Sequence, residues 1–230
     1  MGRIRSNESV CYVHILYLHG FASSPQSKKA TYFRPFFEER GAGYSIPNLN
    51  QPSFSELTLT SMLAEVARTI AAIDDDEIYL IGSSMGGLPV LHFYDSYRNG
   101  EASDVKNMAL LAPALDFVKN RDAHMGDAWQ EKWREAGQWG FFNYATNQEE
   151  FVHYGLVEDI MGYDSASVNV DIPMLIYHGK GDDVVDYRGS VDFAESRNTV
   201  ELHLLDDDHQ LLASKDTILQ GILDFFEVGE

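Results

Sequence analysis

Short apolar runs that take turns with helical spacing constrain this 230-residue chain more than any other feature. Runs at 12–18, 44–46, 77–81, 107–112, 172–177 and 200–205 read as strands, and stretches at 28–39, 56–73, 88–97, 190–196 and 213–227 read as helices. Such alternation is the pattern of a parallel sheet covered on both faces, so an α/β fold with a doubly wound, mostly parallel sheet is expected. The alternation lapses between Asp116 and Val170, a stretch too long for an ordinary loop in such a domain. Residues 116–170 are therefore expected to form a small, mostly helical cap. Its Trp129, Trp133, Trp139, Phe141, Phe142, Tyr144, Phe151 and Tyr154 either line an acyl or aryl pocket or only pack the cap onto the sheet. With 44% hydrophobic residues the chain can bury one sizeable core, which predicts a single domain over 1–230 with residues 1–9 as a mobile tail.

The formal net charge of −19 argues against nucleic acid and anionic membrane surfaces as partners, because the protein's field would repel both. No apolar run reaches the roughly 18 to 20 residues that span a bilayer. A soluble protein is expected. Arg3 and Arg5 ahead of Val10 to Leu18 imitate a signal peptide, but cleavage there would remove a core strand, and His14 interrupts the run. Met1-Gly2 with Ser6 and Asn7-Glu8-Ser9 match lipidation and glycosylation patterns short enough to arise by chance. Cys11 stands alone, so no internal disulfide can form; it fits a reducing cytoplasm and reads as a small buried hydrophobe. The run Asp74 to Glu77 reads as a solvated turn rather than a metal site, since adjacent carboxylates rarely converge on one ion. Neither metal nor cofactor is expected, and oligomeric state has no signal in the sequence.

Gly82-Ser83-Ser84-Met85-Gly86 lies between the strand at 77–81 and the helix at 88–97. Gly-x-Ser-x-Gly in that setting is the nucleophile elbow, a turn tight enough to hold the serine hydroxyl clear of the sheet. Gly82 and Gly86 are needed because a side chain at either would crowd neighbouring backbone. A serine hydroxyl is a weak nucleophile, so a base and an orienting acid must come from loops at the carboxyl ends of later strands. His178-Gly179-Lys180-Gly181-Asp182-Asp183-Val184-Val185 and Asp206-Asp207-Asp208-His209 supply both. The order Ser84, Asp182, His209 is that of an α/β-hydrolase and differs from the chymotrypsin and subtilisin orders. Asp183 and Asp116 are alternative acids. His203 reads as a packed or edge histidine, His19 and His178 as structural members of His-Gly turns, and His92, His124 and His153 as surface or packing residues.

Together Ile15 to Phe21, the elbow, His-Gly-x-x-Asp-x-x-Val at 178–185 and Asp208-His209 resemble an α/β-hydrolase-fold serine esterase. The run His19 to Lys28 most resembles the small bacterial esterases of the YqiA/YcfP type, with similarity over about residues 12 to 228. Asp186 stands where that family usually has proline, and Asp208 where glycine often precedes the histidine. The resemblance implies a cofactor-independent carboxylesterase that forms an acyl-enzyme. Ser84 would attack, His209 would shuttle the proton, Asp182 would orient the imidazole, and the backbone N–H groups of Phe21 and Met85 would hold the oxyanion. The acidic surface favours a neutral small-molecule acyl ester. A thioesterase, a C–C hydrolase or a peptidase would use the same three residues, and a non-catalytic ligand-binding member of the fold is the reading from a different class.

Overall fold

The computed structural model describes residues 12–126 and 128–228, with the side chains of Ala123 and His124 excepted. The expectations for the 1–9 tail, for the motifs at Met1 and Asn7 and for Cys11 lie outside the described residues. From the amino end come β1 (Val13–Leu18), α1 (Lys28–Glu39), β2 (Gly43–Ser45), α2 (Leu59–Ile70), β3 (Glu77–Ser83), α3 (Gly87–Tyr97) and β4 (Val105–Leu111). Next are α4 (Phe117–Met125), α5 (Trp129–Ala136), the strands β5 (Gln138–Asn143) and β6 (Gln148–His153), and α6 (Gly155–Ile160). The alternation resumes with β7 (Met174–Gly179), α7 (Arg188–Glu195), β8 (Val200–Leu205) and α8 (Lys215–Phe226). All six predicted strands are present. α2 starts at Leu59, three residues later than expected, because Thr58 and Ser61 close a capping box: Ser61 N–H donates to Thr58 Oγ1 at 3.0 Å and Thr58 N–H to Ser61 Oγ at 2.9 Å.

The main sheet runs β2-β1-β3-β4-β7-β8, and every neighbouring pair is parallel. Alternate side chains along each strand enter opposite cores, as the pleat requires. Leu16, Leu18, Leu80, Met108, Leu110 and Ile176 join one buried cluster with Leu63 and Val66 of α2, Leu88 and Leu91 of α3 and the tryptophans of α5. Ile15, Tyr17, Ile81, Ala109, Leu111 and Leu175 join the other with Phe33 and Phe37 of α1 and Ile218, Ile222 and Phe226 of α8. Burial on both faces explains why these strands read as continuous apolar runs.

The strand order reverses at β1, with β2 on one flank and β3 on the other. Leu18 pairs with Gly82, so the loops leaving β1 and β3 emerge side by side. Ligands of open α/β sheets bind in the crevice outside the carboxyl ends of the strands at such a reversal.

Between β4 and β7 the cap departs from the expectation of a mostly helical insertion. Helices α4, α5 and α6 are joined by an antiparallel pair, β5 with β6. The pair is short, with β5 mostly half-buried and β6 mostly exposed, and its apolar residues are largely the cap aromatics. Trp133 is fully buried at its centre, with Trp139, Phe141 and Tyr154 at ring-centroid distances of 6.4, 5.2 and 6.2 Å. Its indole N–H donates to the Val152 carbonyl at 2.9 Å, which ties α5 to the strand pair.

Candidate active site

Strand β3 gives way without a linker to a single 3-10 turn, Ser84–Gly86, and then to α3. Ser84 adopts φ +55°, the left-handed region that costs a non-glycine residue roughly 1–2 kcal/mol. Three glycines make room for it. A Cβ on Gly82 would lie 2.7 Å from the Gly86 carbonyl oxygen and 2.8 Å from Gly87 Cα, and one on Gly86 would collide with the Leu18 carbonyl and sit 2.7 Å from that of His19. Gly20 approaches from the β1 loop, where a Cβ would stand 3.2 Å from Ser84 Cβ.

The β7 and β8 loops bring the other two residues to this turn. His209 Nε2 is 3.0 Å from Ser84 Oγ, and His209 Nδ1 is 2.7 Å from Asp182 Oδ2. A carboxylate only accepts, so Nδ1 carries the proton and Nε2 is left to accept from the serine. Asp182 Oδ2 also accepts from His178 Nε2 at 3.0 Å, while Oδ1 accepts from the backbone N–H groups of Val184 and Val185, each at 2.8 Å. Burial raises the Asp182 pKa, but hydrogen bonds from His178 and His209, the charge of His209 and the Val185 N–H outweigh it and hold the carboxyl well below its usual range. Asp183 is exposed. Asp116, also exposed, accepts the Lys119 N–H at 2.9 Å and caps α4.

His178 is fully enclosed, with Nδ1 2.8 Å from Ser190 Oγ and Nε2 also 3.2 Å from the Val185 carbonyl. Both Nε2 neighbours accept, so its proton sits on Nε2 and points at Asp182. Sequence reasoning places His178 in a structural His-Gly turn and misses its hold on the acid, because a four-residue step from the end of β7 into the following turn carries no periodic signal. It also missed Lys29, whose buried Nζ donates to the Gln210 carbonyl at 2.6 Å and so fastens the residue after His209 to α1. Burial lowers the Lys29 pKa to about 8, against the pull of Asp207, Asp208 and Asp182.

His19 anchors the facing loop. Its Nδ1–H donates to the Gly20 carbonyl at 2.9 Å and its Nε2 accepts the Leu49 N–H at 3.1 Å. Burial takes its pKa down to about 4, with the Gly20 bond opposing, so the ring is neutral at pH 7. Beyond it, Phe21 and Met85 line with Ser84 a cavity of about 40 Å³. Phe117, Asn120 and Val185 border both this cavity and a neighbouring groove of about 620 Å³. None of the eight cap aromatics singled out in the sequence lines either space; Trp129, Trp133 and Tyr154 are buried, whereas Phe142, Tyr144 and Phe151 are at least 49% exposed. The rings that do line them are Phe21, Phe117, Tyr163 and Phe193.

The other histidines with described side chains serve elsewhere. His92 is buried with Nε2 3.0 Å from Ser165 Oγ, His203 pairs with Glu201 at 2.6 Å on the last strand of the sheet, and His153 is exposed. His14 links Ser45 Oγ through Nε2 and Asp75 Oδ2 through Nδ1, both at 2.8 Å, so the acidic run at 74–77 is partly engaged rather than only solvated. Serine, histidine and aspartate are connected there in the same order as at Ser84. Ser45, however, lies within β2, with no helix or glycine turn behind it. Among the described residues no three His, Cys, Asp or Glu side chains converge as metal ligands, and no helix is long and apolar enough to cross a membrane.

Known structures share this architecture. Alpha/beta hydrolase domain-containing protein 10 from mouse is 19% identical with a TM-score of 0.77, over 93% of this chain and 89% of that one. Est1E from Butyrivibrio proteoclasticus is 19% identical with a TM-score of 0.74, over 96% and 88%. A metagenome-derived lipolytic enzyme, one of the LipS and LipT pair, is 17% identical with a TM-score of 0.70, over 94% of both chains. At this identity the likeness establishes the α/β-hydrolase fold. No curated protein matches the chain in sequence. The family model described as "Uncharacterised protein family (UPF0227)" covers residues 14–227, and the chain belongs to that family.

Proposed function

We propose that the protein is a serine hydrolase of carboxylic esters working through an acyl-enzyme. The observation that carries this is His209 bridging Ser84 at 3.0 Å and Asp182 at 2.7 Å, at the carboxyl end of a parallel sheet. As Ser84 Oγ attacks the acyl carbon, its proton passes to His209 Nε2, and Asp182 stabilises the imidazolium through Nδ1–H. The tetrahedral oxyanion lies toward the backbone N–H groups of Phe21 and Met85, the two residues that share the small cavity with Ser84. Collapse breaks the ester C–O bond as Nε2 returns the proton to the alkoxide. Water then attacks the acyl carbon as it gives its proton to Nε2, and collapse breaks the bond to Ser84 and releases the acid while Nε2 returns that proton to Ser84 Oγ. No step calls for a metal or cofactor.

Residues 1–230 are read as one domain with 116–170 as its cap, and a lone cysteine fits a reducing cytoplasm. The net charge of −19 favours uncharged acyl esters at encounter distance, whereas the reacting cavity has an arginine of its own. Ser84→Ala should abolish hydrolysis of p-nitrophenyl butyrate and labelling by a fluorophosphonate. Retained turnover in that variant would disprove the assignment.

A further inference from the structure

Arg121 projects from α4 into the reacting cavity. Its guanidinium carbon lies 5.4 Å from the Phe21 ring centroid, 5.1 Å from Phe117 and 5.4 Å from Phe141, and Phe21 and Phe117 line the cavity with Ser84. No carboxylate belongs to that lining; the other members are Met85, Ala114, Asn120, Val184 and Val185. Among the described residues Arg121 has neither an ion pair nor a hydrogen bond. Its nitrogens are not sealed off, since the fully enclosed polar side-chain atoms without partners are Tyr17 Oη, Ser27 Oγ and Arg98 Nε.

This is an odd place to leave a cation unpaired in a chain with 36 acidic residues and 17 basic ones. Desolvating a charge is unfavourable, and burial lowers the Arg121 pKa without approaching neutrality in any working range. The three rings offset part of that cost, yet they satisfy none of the five N–H donors. A planar guanidinium fork with free donors, held by aromatic walls, matches a carboxylate.

We propose that Arg121 is a specificity-determining residue that binds a carboxylate on the substrate, so that the preferred ester carries an acidic group at the end of a short acyl chain. The proposal rests on the assignment of Ser84 as nucleophile. Because Ser84 and Arg121 line the same small cavity, of about 40 Å³, a short acyl chain joins the scissile carbon to the acid. The alcohol portion extends into the 620 Å³ groove through the shared border at Phe117, Asn120 and Val185. Long-range repulsion slows the approach of such an anion, and short-range pairing retains it once bound.

p-Nitrophenyl butyrate and p-nitrophenyl hydrogen succinate differ only in a methyl against a carboxylate at the end of the same four-carbon acyl chain, which makes them a direct test. The wild type should favour the succinate by roughly tenfold or more in kcat/KM. Arg121→Met should lower the succinate-to-butyrate ratio about a hundredfold, chiefly through the succinate KM, and Arg121→Lys should restore part of it because charge returns without the fork. Turnover of butyrate by the wild type with no preference for the succinate would overturn the proposal and leave the nucleophile assignment standing. Equal losses on both esters in Arg121→Met would overturn it in favour of a role at the oxyanion or in packing. Absence of turnover and of fluorophosphonate labelling in the wild type would overturn both. The wild-type comparison needs no variant to fold.

Discussion

Acidification from pH 7 to pH 5 should cost the protein about 2 kcal/mol at a single side chain, His19. Unfolded, this imidazole takes up a proton around its ordinary value of 6.5; folded, burial delays that to about 4. Between those two values the unfolded state binds more protons, so stability falls as the pH falls. Each pH step inside the window is worth about 1.4 kcal/mol. The geometry says why the folded ring resists: Nε2 already accepts the Leu49 N–H at 3.1 Å, and a proton there would set two donors face to face. Urea unfolding at pH 7 and pH 5, compared between the wild type and His19→Gln, isolates this contribution. Glutamine cannot titrate, and every other titrating group is common to both proteins. The wild type should lose about 2 kcal/mol more than the variant over the interval. Parallel losses would refute the reasoning, as would a ring-proton NMR titration of His19 in the wild type with its midpoint near 6.5. The second measurement holds even if the variant folds poorly.

Asp182→Asn should lower kcat on p-nitrophenyl butyrate by about 10³ to 10⁴-fold, because the amide is uncharged and its NH₂ must face donors on either side, the two histidines or the Val184 and Val185 N–H groups. Lys29→Met should release the Gln210 carbonyl and lower kcat about tenfold with a smaller change in KM, read from steady-state kinetics, since the bond positions His209 without touching substrate. Gly86→Ala should destabilise by more than about 4 kcal/mol or abolish folding, because its Cβ meets rigid backbone at Leu18 and His19. Gly100→Ala, whose Cβ finds nothing nearer than the Tyr97 carbonyl at 3.8 Å, is the control, and thermal melting of the pair reads the difference.

How much of this was legible in the sequence follows from how far each signal reaches. The strands were legible because both faces of the sheet are buried, which turns β1, β3, β4 and β7 into unbroken apolar runs. Ser84, Asp182 and His209 were legible because each follows a strand, and parallel topology delivers all such loops to one edge. The hairpin of β5 and β6 was not, since its mixed exposure leaves no clean alternation and its aromatics suit a helix face as well. Nor were the partners that hold the site in place. His178 reaches Asp182 through a loop, Lys29 reaches Gln210 across 181 residues, and Arg121 meets Phe21 only because α4 folds over the β1 loop. Contacts of that kind depend on packing, which no local pattern encodes. The net charge of −19, which points to a neutral substrate, sums over the whole surface and carries no record of Arg121 lining the cavity beside Ser84.

The linkage of Ser45, His14 and Asp75 gives the molecule an internal control. Two serines in one chain each meet an imidazole backed by a carboxylate, at 2.8 Å for Ser45 and 3.0 Å for Ser84. Only Ser84 stands at a left-handed turn beneath a helix, beside a cavity bordered by Phe21 and Met85. Peptide mapping after exposure to a single phosphylating reagent would therefore compare two hydroxyls under identical solvent, temperature and reagent concentration. The ratio of their modification rates would measure how much of a serine's reactivity the backbone supplies when the imidazole is held constant.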